Sequence, residues 1–182
     1  RDLPSSTRVY SIQLVSARTF AVTDECEINL EIHETITALE VVSLAEGAGG
    51  KTRTMVAVGT SIVGGEDQIP RGRLLLFDVL HYAVAYNVDT RDTLKLAQVF
   101  EKDMKHPITV LKALHGMLFM TLGVKLQLFA FTGTDLDPVA FFDGMTFLVA
   151  AAICRDYILC ADACKGAYLL RWRELGRSLA LV

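Results

Sequence analysis

MLFMTLGVKLQLF, residues 117–129, decides the fold. Two short apolar, β-forming runs meet at Gly123-Val124, a joint short enough for a hairpin. The same strand–turn–strand unit occurs twice more. YILCAD (157–162) is followed by KGAYLLRW (165–172), and MVAVGT (55–60) is followed by GRLLLFD (72–78) after an insertion about one loop in size. From Met117 to Tyr157 the unit advances 40 residues, close to the roughly 40–45 of one four-stranded propeller blade. The reading is therefore all-β: a partial, WD40-like β-propeller with about three four-stranded blades plus part of a preceding one, and little or no helix.

Working outward, 9–15, 27–32 and 35–44 read as strands, because β-branched and apolar residues alternate with polar ones. After Pro107 the joints tighten. Strands are expected at 108–114, 117–122, 124–131 and 139–142, then at 147–153, 157–161, 167–172 and 178–181. The corresponding blade pieces are approximately 9–30, 35–101, 108–142 and 146–182. Asp137-Pro138 reads as a turn initiator and Asp143-Gly144 as a hairpin signal. Three longer stretches, 45–51, 64–71 and 82–93, read as surface loops, where a sheet scaffold carries its contacts. Arg1 stands where an initiating Met would, and the chain stops within the strand-like SLALV at 178–182. More chain is expected on both sides, with the open sheet edges of an incomplete ring covered by it.

The chain is 52% hydrophobic with 21% charged residues. Strands buried on both faces account for this, since they read as continuous apolar runs. The two most apolar stretches, 116–131 and 139–154, are broken by Lys125 and by Asp143-Gly144. Neither supplies the roughly 18 uninterrupted residues of a spanning helix. Net charge is −3, and no basic stripe of the kind nucleic-acid binders carry is visible across the whole chain. The nearest feature is Arg171, Arg173 and Arg177 around Trp172. Strand alternation puts both Arg171 and Arg173 opposite Trp172, which favours a solvated face over a buried Trp rather than a stacking-and-phosphate patch. Cys26, Cys154, Cys160 and Cys164 lack the C-x-x-C pairs of common zinc sites. With no signal-peptide pattern before them, they are expected to be reduced core thiols in an intracellular protein.

No catalytic constellation is legible. His33-Glu34 opens like a zincin motif but lacks the second His at helical spacing. GTSIVG at 59–64 misses the nucleophile elbow, because position 63 is Val, so Ser61 reads as a strand-end residue. Gly64-Gly65 with Lys51 upstream is no phosphate loop. Asp135, Asp137 and Asp143 are close in sequence, but two of them sit in turn signals. His81, His106 and His115 share no spacing. The expectation is no enzyme, no cofactor, no metal and no assignable site residue.

Several motifs, in order, resemble a known family. VGT at 58–60, the acidic GED at 65–67 and RGRLLLFDV at 71–79 are similar to the signature of the large triple-propeller proteins. That family includes the largest subunit of the cleavage and polyadenylation specificity factor, the large subunit of damaged-DNA-binding protein, and a spliceosomal relative. FEK at 100–102 with KHPITVL at 105–111, and YILCAD through KGAYLLRW, match further blocks. YSIQLVS at 10–16 and DL at 135–136 with VAFFD at 139–143 resemble the polyadenylation branch. The resemblance runs from about Tyr10 to Trp172. The chain departs from it at His106, where the family has Gly, and at 162–166, where the turn reads DACKG.

The resemblance implies a nuclear, non-catalytic scaffold of pre-mRNA 3′-end processing. Such a scaffold organises, by protein–protein contacts, the subunits that recognise the polyadenylation signal. RNA would be met mostly indirectly through the complex, with no membrane and no small-molecule substrate. The alternatives are a damaged-DNA or ubiquitin-ligase adaptor, a spliceosomal relative and, from a different class, a propeller enzyme.

Overall fold

A computed structural model of the chain describes residues 9–17, 20–47, 50–86 and 89–182. The described residues contain strands and no helix, so no helix there is long and apolar enough to cross a membrane. β1 (Ser11–Val15) and β2 (Val22–Asn29) form a two-stranded hairpin. β3 (Glu34–Ala45), β4 (Thr52–Ile62), β5 (Gly72–Tyr86) and β6 (Asp89–Met104) form the first four-stranded sheet. β7 (Leu111–Leu114), β8 (Met117–Leu122), β9 (Lys125–Phe131) and β10 (Leu136–Asp143) form the second. β11 (Leu148–Cys154), β12 (Tyr157–Asp162), β13 (Gly166–Arg173) and β14 (Ser178–Leu181) form the third. Every neighbour in a sheet is its neighbour in sequence, and every pairing is antiparallel.

The sheets stack face to face. β3 lies against β7 and β7 against β11, while the last strands meet as β2 with β6 and β10 with β14. First strand beside first strand and last beside last is the radial order of propeller blades, and the chain is a partial β-propeller. Its cores lie between sheets, which explains the continuous apolar runs. In β5, Leu74 and Leu76 pack toward the second sheet, while Leu75 and Phe77 pack toward β1–β2. In β8, Leu118 and Met120 face the first sheet and Phe119 faces the third. Adjacent residues therefore bury into different cores, each contributing about 1.5–3 kcal/mol.

Four expectations are corrected. Of the expected loop 82–93, residues 82–86 and 89–93 are strand, because β5 and β6 pair without a break from His81↔Leu94 to Tyr86↔Asp89, and residues 87–88 lie outside the described residues. Aromatic and β-branched residues at every second position from Tyr82 to Tyr86 support that extension. Asp137-Pro138 lies inside β10, an edge strand with a bulge at Pro138/Ala140; an edge position tolerates a missing N–H. Asp143-Gly144 joins the second sheet to the third instead of closing a hairpin. Of 108–114, only Leu111–Leu114 pairs as β7. The Ile108 N–H instead donates to the Thr60 carbonyl of the preceding sheet at 3.2 Å.

Candidate functional site

Glu34, the first residue of β3, carries a carboxylate that is wholly buried. Arg73 on β5 donates from Nε to Oε1 at 2.9 Å and from Nη2 to Oε2 at 2.5 Å. The Thr60 hydroxyl donates to Oε1 at 2.6 Å and the Glu31 N–H to Oε2 at 2.9 Å. Burial opposes ionisation, but these four donors outweigh it and hold the carboxyl below its usual range. Arg73 also reaches Glu101 at 2.5 Å and Glu31 at 3.4 Å, and its pKa is raised, chiefly by Glu34. Thr60 in turn accepts the Arg73 N–H at 2.9 Å.

Equivalent positions at the end of each second strand do the same work. Thr121 on β8 accepts the Thr109 and Val110 N–H groups at 2.8 and 3.0 Å. Asp162 on β12 accepts four: Thr146 at 2.6 Å, Phe147 at 3.1 Å, Cys164 at 2.8 Å and Lys165 at 3.1 Å. Led by the Thr146 bond, these hold its carboxyl below the ordinary range. Each of these groups fixes the chain entering a sheet or rounding its turn. Thr121 and Asp162 accept backbone N–H groups, and the Thr60 hydroxyl bonds both the Arg73 N–H and the Glu34 carboxylate, so each pins its sheet.

At the inner edge, Thr37, Ala38, Leu39 and Glu40 of β3, residues 109–112 and residues 149–151 line an open groove of about 270 Å³. The Thr37 hydroxyl reaches the Ile108 carbonyl at 2.5 Å, and the Thr109 hydroxyl reaches the Leu148 carbonyl at 2.6 Å. Lys112 Nζ pairs with Glu40 Oε2 at 2.8 Å. Leu39 and Val41 on β3 stay 60% and 65% exposed, because β1–β2 packs toward β6 and leaves the inner half of that face open. The groove offers backbone edges, aliphatic surface and one ion pair.

The other sequence candidates are not brought together. His33 is exposed in the turn before β3 with φ 66°, and its neighbour Glu34 is committed to Arg73. His81 is exposed on β5 and His106 on the β6–β7 connection, and His115 Nε2 contacts Asp156 Oδ1 at 2.8 Å. Asp135 pairs with Lys102 and Asp143 with Lys125, whereas Asp137 is exposed on β10. The Ser61 carbonyl accepts a bond from Thr35 across the strand pair. Among the described residues no three His, Cys, Asp or Glu side chains cluster as metal ligands. Among the described cysteine side chains the expectation of core thiols holds for Cys160 alone, whose burial pushes its pKa to about 11. Cys154 and Cys164 are exposed, one at the end of β11 and one in the β12–β13 turn. The side chain of Cys26 lies outside the described residues. Trp172 is buried (6% exposed) and Arg171 and Arg173 face outward, as the alternation indicated.

A family model described as the CPSF A subunit region matches residues 9–182. The chain belongs to the CPSF A subunit family. Among curated proteins it is 32% identical over 159 residues to cleavage and polyadenylation specificity factor subunit 1 of Arabidopsis thaliana, covering 87% of this chain and 11% of that protein. It is 27% identical over 173 residues to the Drosophila melanogaster protein of the same name, covering 94% and 12%. It is 28% identical over 164 residues to Protein CFT1 of Yarrowia lipolytica, covering 90% and 13%. The chain thus spans little more than a tenth of the length of these relatives. The CPSF A motif residues have physical reasons in this fold. A Cβ at Gly59 of VGT would stand 2.6 Å from Ile108 Cγ2, and one at Gly72 of RGR 2.2 Å from the Thr60 carbonyl oxygen. Both glycines let neighbouring backbone and side chains close on the Glu34–Thr60–Arg73 knot. No local pattern marked Glu34, because its partner lies 39 residues away.

Proposed function

We propose that this chain is a non-catalytic scaffold region of the machinery that cleaves and polyadenylates pre-mRNA in the nucleus. It holds the subunits that recognise the polyadenylation signal, through protein–protein contacts. RNA is met mostly through those subunits. The observation that carries this reading is the run of relatives named for cleavage and polyadenylation, matched along 87–94% of the chain. The fold supports it: the buried polar groups are consumed in pinning sheets together, and the exposed surface is groove, hairpin and sheet face.

Affinity purification of the tagged full-length protein from nuclear extract tests it. Polyadenylation factors and 3′-end cleavage activity should co-purify. Recovery of ubiquitin-ligase or spliceosomal components instead would overturn the assignment. Elemental analysis and a thermal-shift ligand screen address the enzyme alternative; a bound metal or ligand accompanied by turnover would replace the scaffold reading.

A further inference from the structure

We infer that Thr134, in the turn between β9 and β10, is a phosphorylation site for an acidophilic protein kinase, one whose basic substrate groove reads carboxylates that follow the acceptor. The segment is TDLD at 134–137. It belongs to the second sheet, which has the first sheet packed on one side and the third on the other. The seam to the first sheet is closed right beside the turn. The Phe100 and Phe131 rings meet edge-on with centroids 5.5 Å apart, and the Gly47 N–H donates to the Phe131 carbonyl at 2.9 Å.

Four hydroxyl residues in the sequence have a carboxylate three positions on: Thr37, Ser43, Thr132 and Thr134. Three of these hydroxyls are committed. Thr37 donates to the Ile108 carbonyl from within β3, and Ser43 shares a 3.0 Å bond with Thr54. Thr132 accepts the Asp135 N–H at 2.9 Å and donates to the Asp135 carbonyl at 3.1 Å. Thr134 is exposed, and its hydroxyl has no hydrogen-bond partner among the described residues.

The residues after it are already laid out for reading. Asp135 and Asp137 are exposed while Leu136 between them is only 4% exposed. That is the alternation of an extended chain, with both carboxylates on the solvent side and the leucine in the core. β10 is also the edge strand of its sheet, so its outer backbone edge is unpaired within the sheet. A kinase groove therefore meets acceptor, first carboxylate and third carboxylate in line without unfolding the sheet. Asp135 pairs with Lys102, which holds its carboxyl below the ordinary range and keeps it charged.

In the transfer, the Thr134 hydroxyl oxygen attacks the γ-phosphorus of a nucleoside triphosphate. The new P–O bond forms as the bond to the β-phosphate oxygen breaks, the hydroxyl proton passes to the kinase's base, and the nucleoside diphosphate leaves. The product carries roughly −1.5 to −2 charge next to Asp135. Lys102 on β6 then faces two competing anions, so the tie from the first sheet to this turn is altered at the outer rim, where partners approach.

The test uses the full-length protein with its associated subunits, purified from nuclear extract and dephosphorylated. It is incubated with ATP and an acidophilic protein kinase, and phosphopeptides are mapped by mass spectrometry. Phosphate should appear on Thr134. Thr134→Ala should remove that phosphopeptide, and Thr134→Ser, which keeps the hydroxyl, should restore labelling of the same segment. Thr132→Val should leave Thr134 labelled. Asp137→Asn, which alters only an exposed side chain, should slow labelling by about tenfold, the loss of one charge-assisted contact. A kinase that selects basic residues should label Thr134 poorly. Labelling of Thr134 only after denaturation would overturn the inference. So would absence of phosphate from Thr134, or a rate unchanged by Asp137→Asn.

Discussion

Thr37 on the first sheet donates its hydroxyl to the Ile108 carbonyl at 2.5 Å, bridging to the chain that enters the second sheet. Thr109 repeats the relationship one sheet further on, reaching the Leu148 carbonyl at 2.6 Å. Two inner-edge clasps therefore join three sheets, beside the apolar cores and backbone bonds that also link them. Thr37 can serve because it is the extra residue of a bulge between Ile36 and Ala38, which frees its side chain from the sheet's alternation.

Replacing Thr37 or Thr109 with Val keeps the shape but leaves a carbonyl without its donor. Each substitution should cost about 1–2 kcal/mol. Urea denaturation followed by the fluorescence of the single tryptophan reads this directly, because Trp172 lies in the core between the second and third sheets. A midpoint unchanged in both variants would show that the clasps add nothing to stability.

The glycines of the VGT and RGR motifs should be intolerant of even one methyl group. Gly72→Ala sets a Cβ against a backbone oxygen that cannot rotate away. It should cost more than the roughly 1–3 kcal/mol of ordinary overpacking. Gly176→Ala, whose nearest neighbour is the Ser178 hydroxyl at 3.4 Å, should be nearly neutral. Thermal melts of the two variants side by side decide the matter, and equal melting temperatures would refute the packing explanation of the motif.

Glu34 makes the fold sensitive to acid. Its carboxyl is held below the ordinary value of 4.5 in the folded chain. Between the folded and unfolded pKa values the unfolded chain binds the extra proton. Its stabilising contribution is therefore complete above about pH 4.5 and is lost as pH falls through the lowered folded value. Asp162 acts in the same direction from an ordinary value of 3.8. Glu34→Gln removes the partner of a largely buried guanidinium and should cost on the order of 3 kcal/mol near neutral pH. It should also flatten the melting-temperature profile in acid; an unchanged acid slope would place the linkage elsewhere.

Much of this fold was legible because propeller sheets leave a local trace. Each of Leu118, Phe119 and Met120 has a core to enter, so β8 is written as unbroken apolar sequence, and the hairpin joints on either side are short. The outer half of the β5–β6 hairpin was not legible, since Asp89, Thr90, Arg91 and Asp92 have the composition of a loop. Only cross-strand pairing makes them a strand, and composition does not encode pairing. The Glu34–Arg73 knot was hidden for a related reason: a lone Glu before a strand looks like a solvated residue until the fold brings its guanidinium to it. The surface was least legible, because solvent accepts nearly any polar residue and leaves no periodic signature.

The last prediction concerns that outer hairpin. The paired stretches 82–86 and 89–93 run past the end of β4 pairing, which stops at Val56↔Phe77. Beyond that point β5 and β6 pair with each other and not with β4. Two antiparallel strands on their own contribute little to the stability of the whole. Shortening them, by joining His81 to Leu94 through an Asn-Gly turn, should lower the melting temperature by only a few degrees. Recovery of protein partners by co-purification should fall much more, because a projecting hairpin presents its edges to other chains. If melting temperature and partner recovery fall together, the hairpin is a structural strut and not a contact surface.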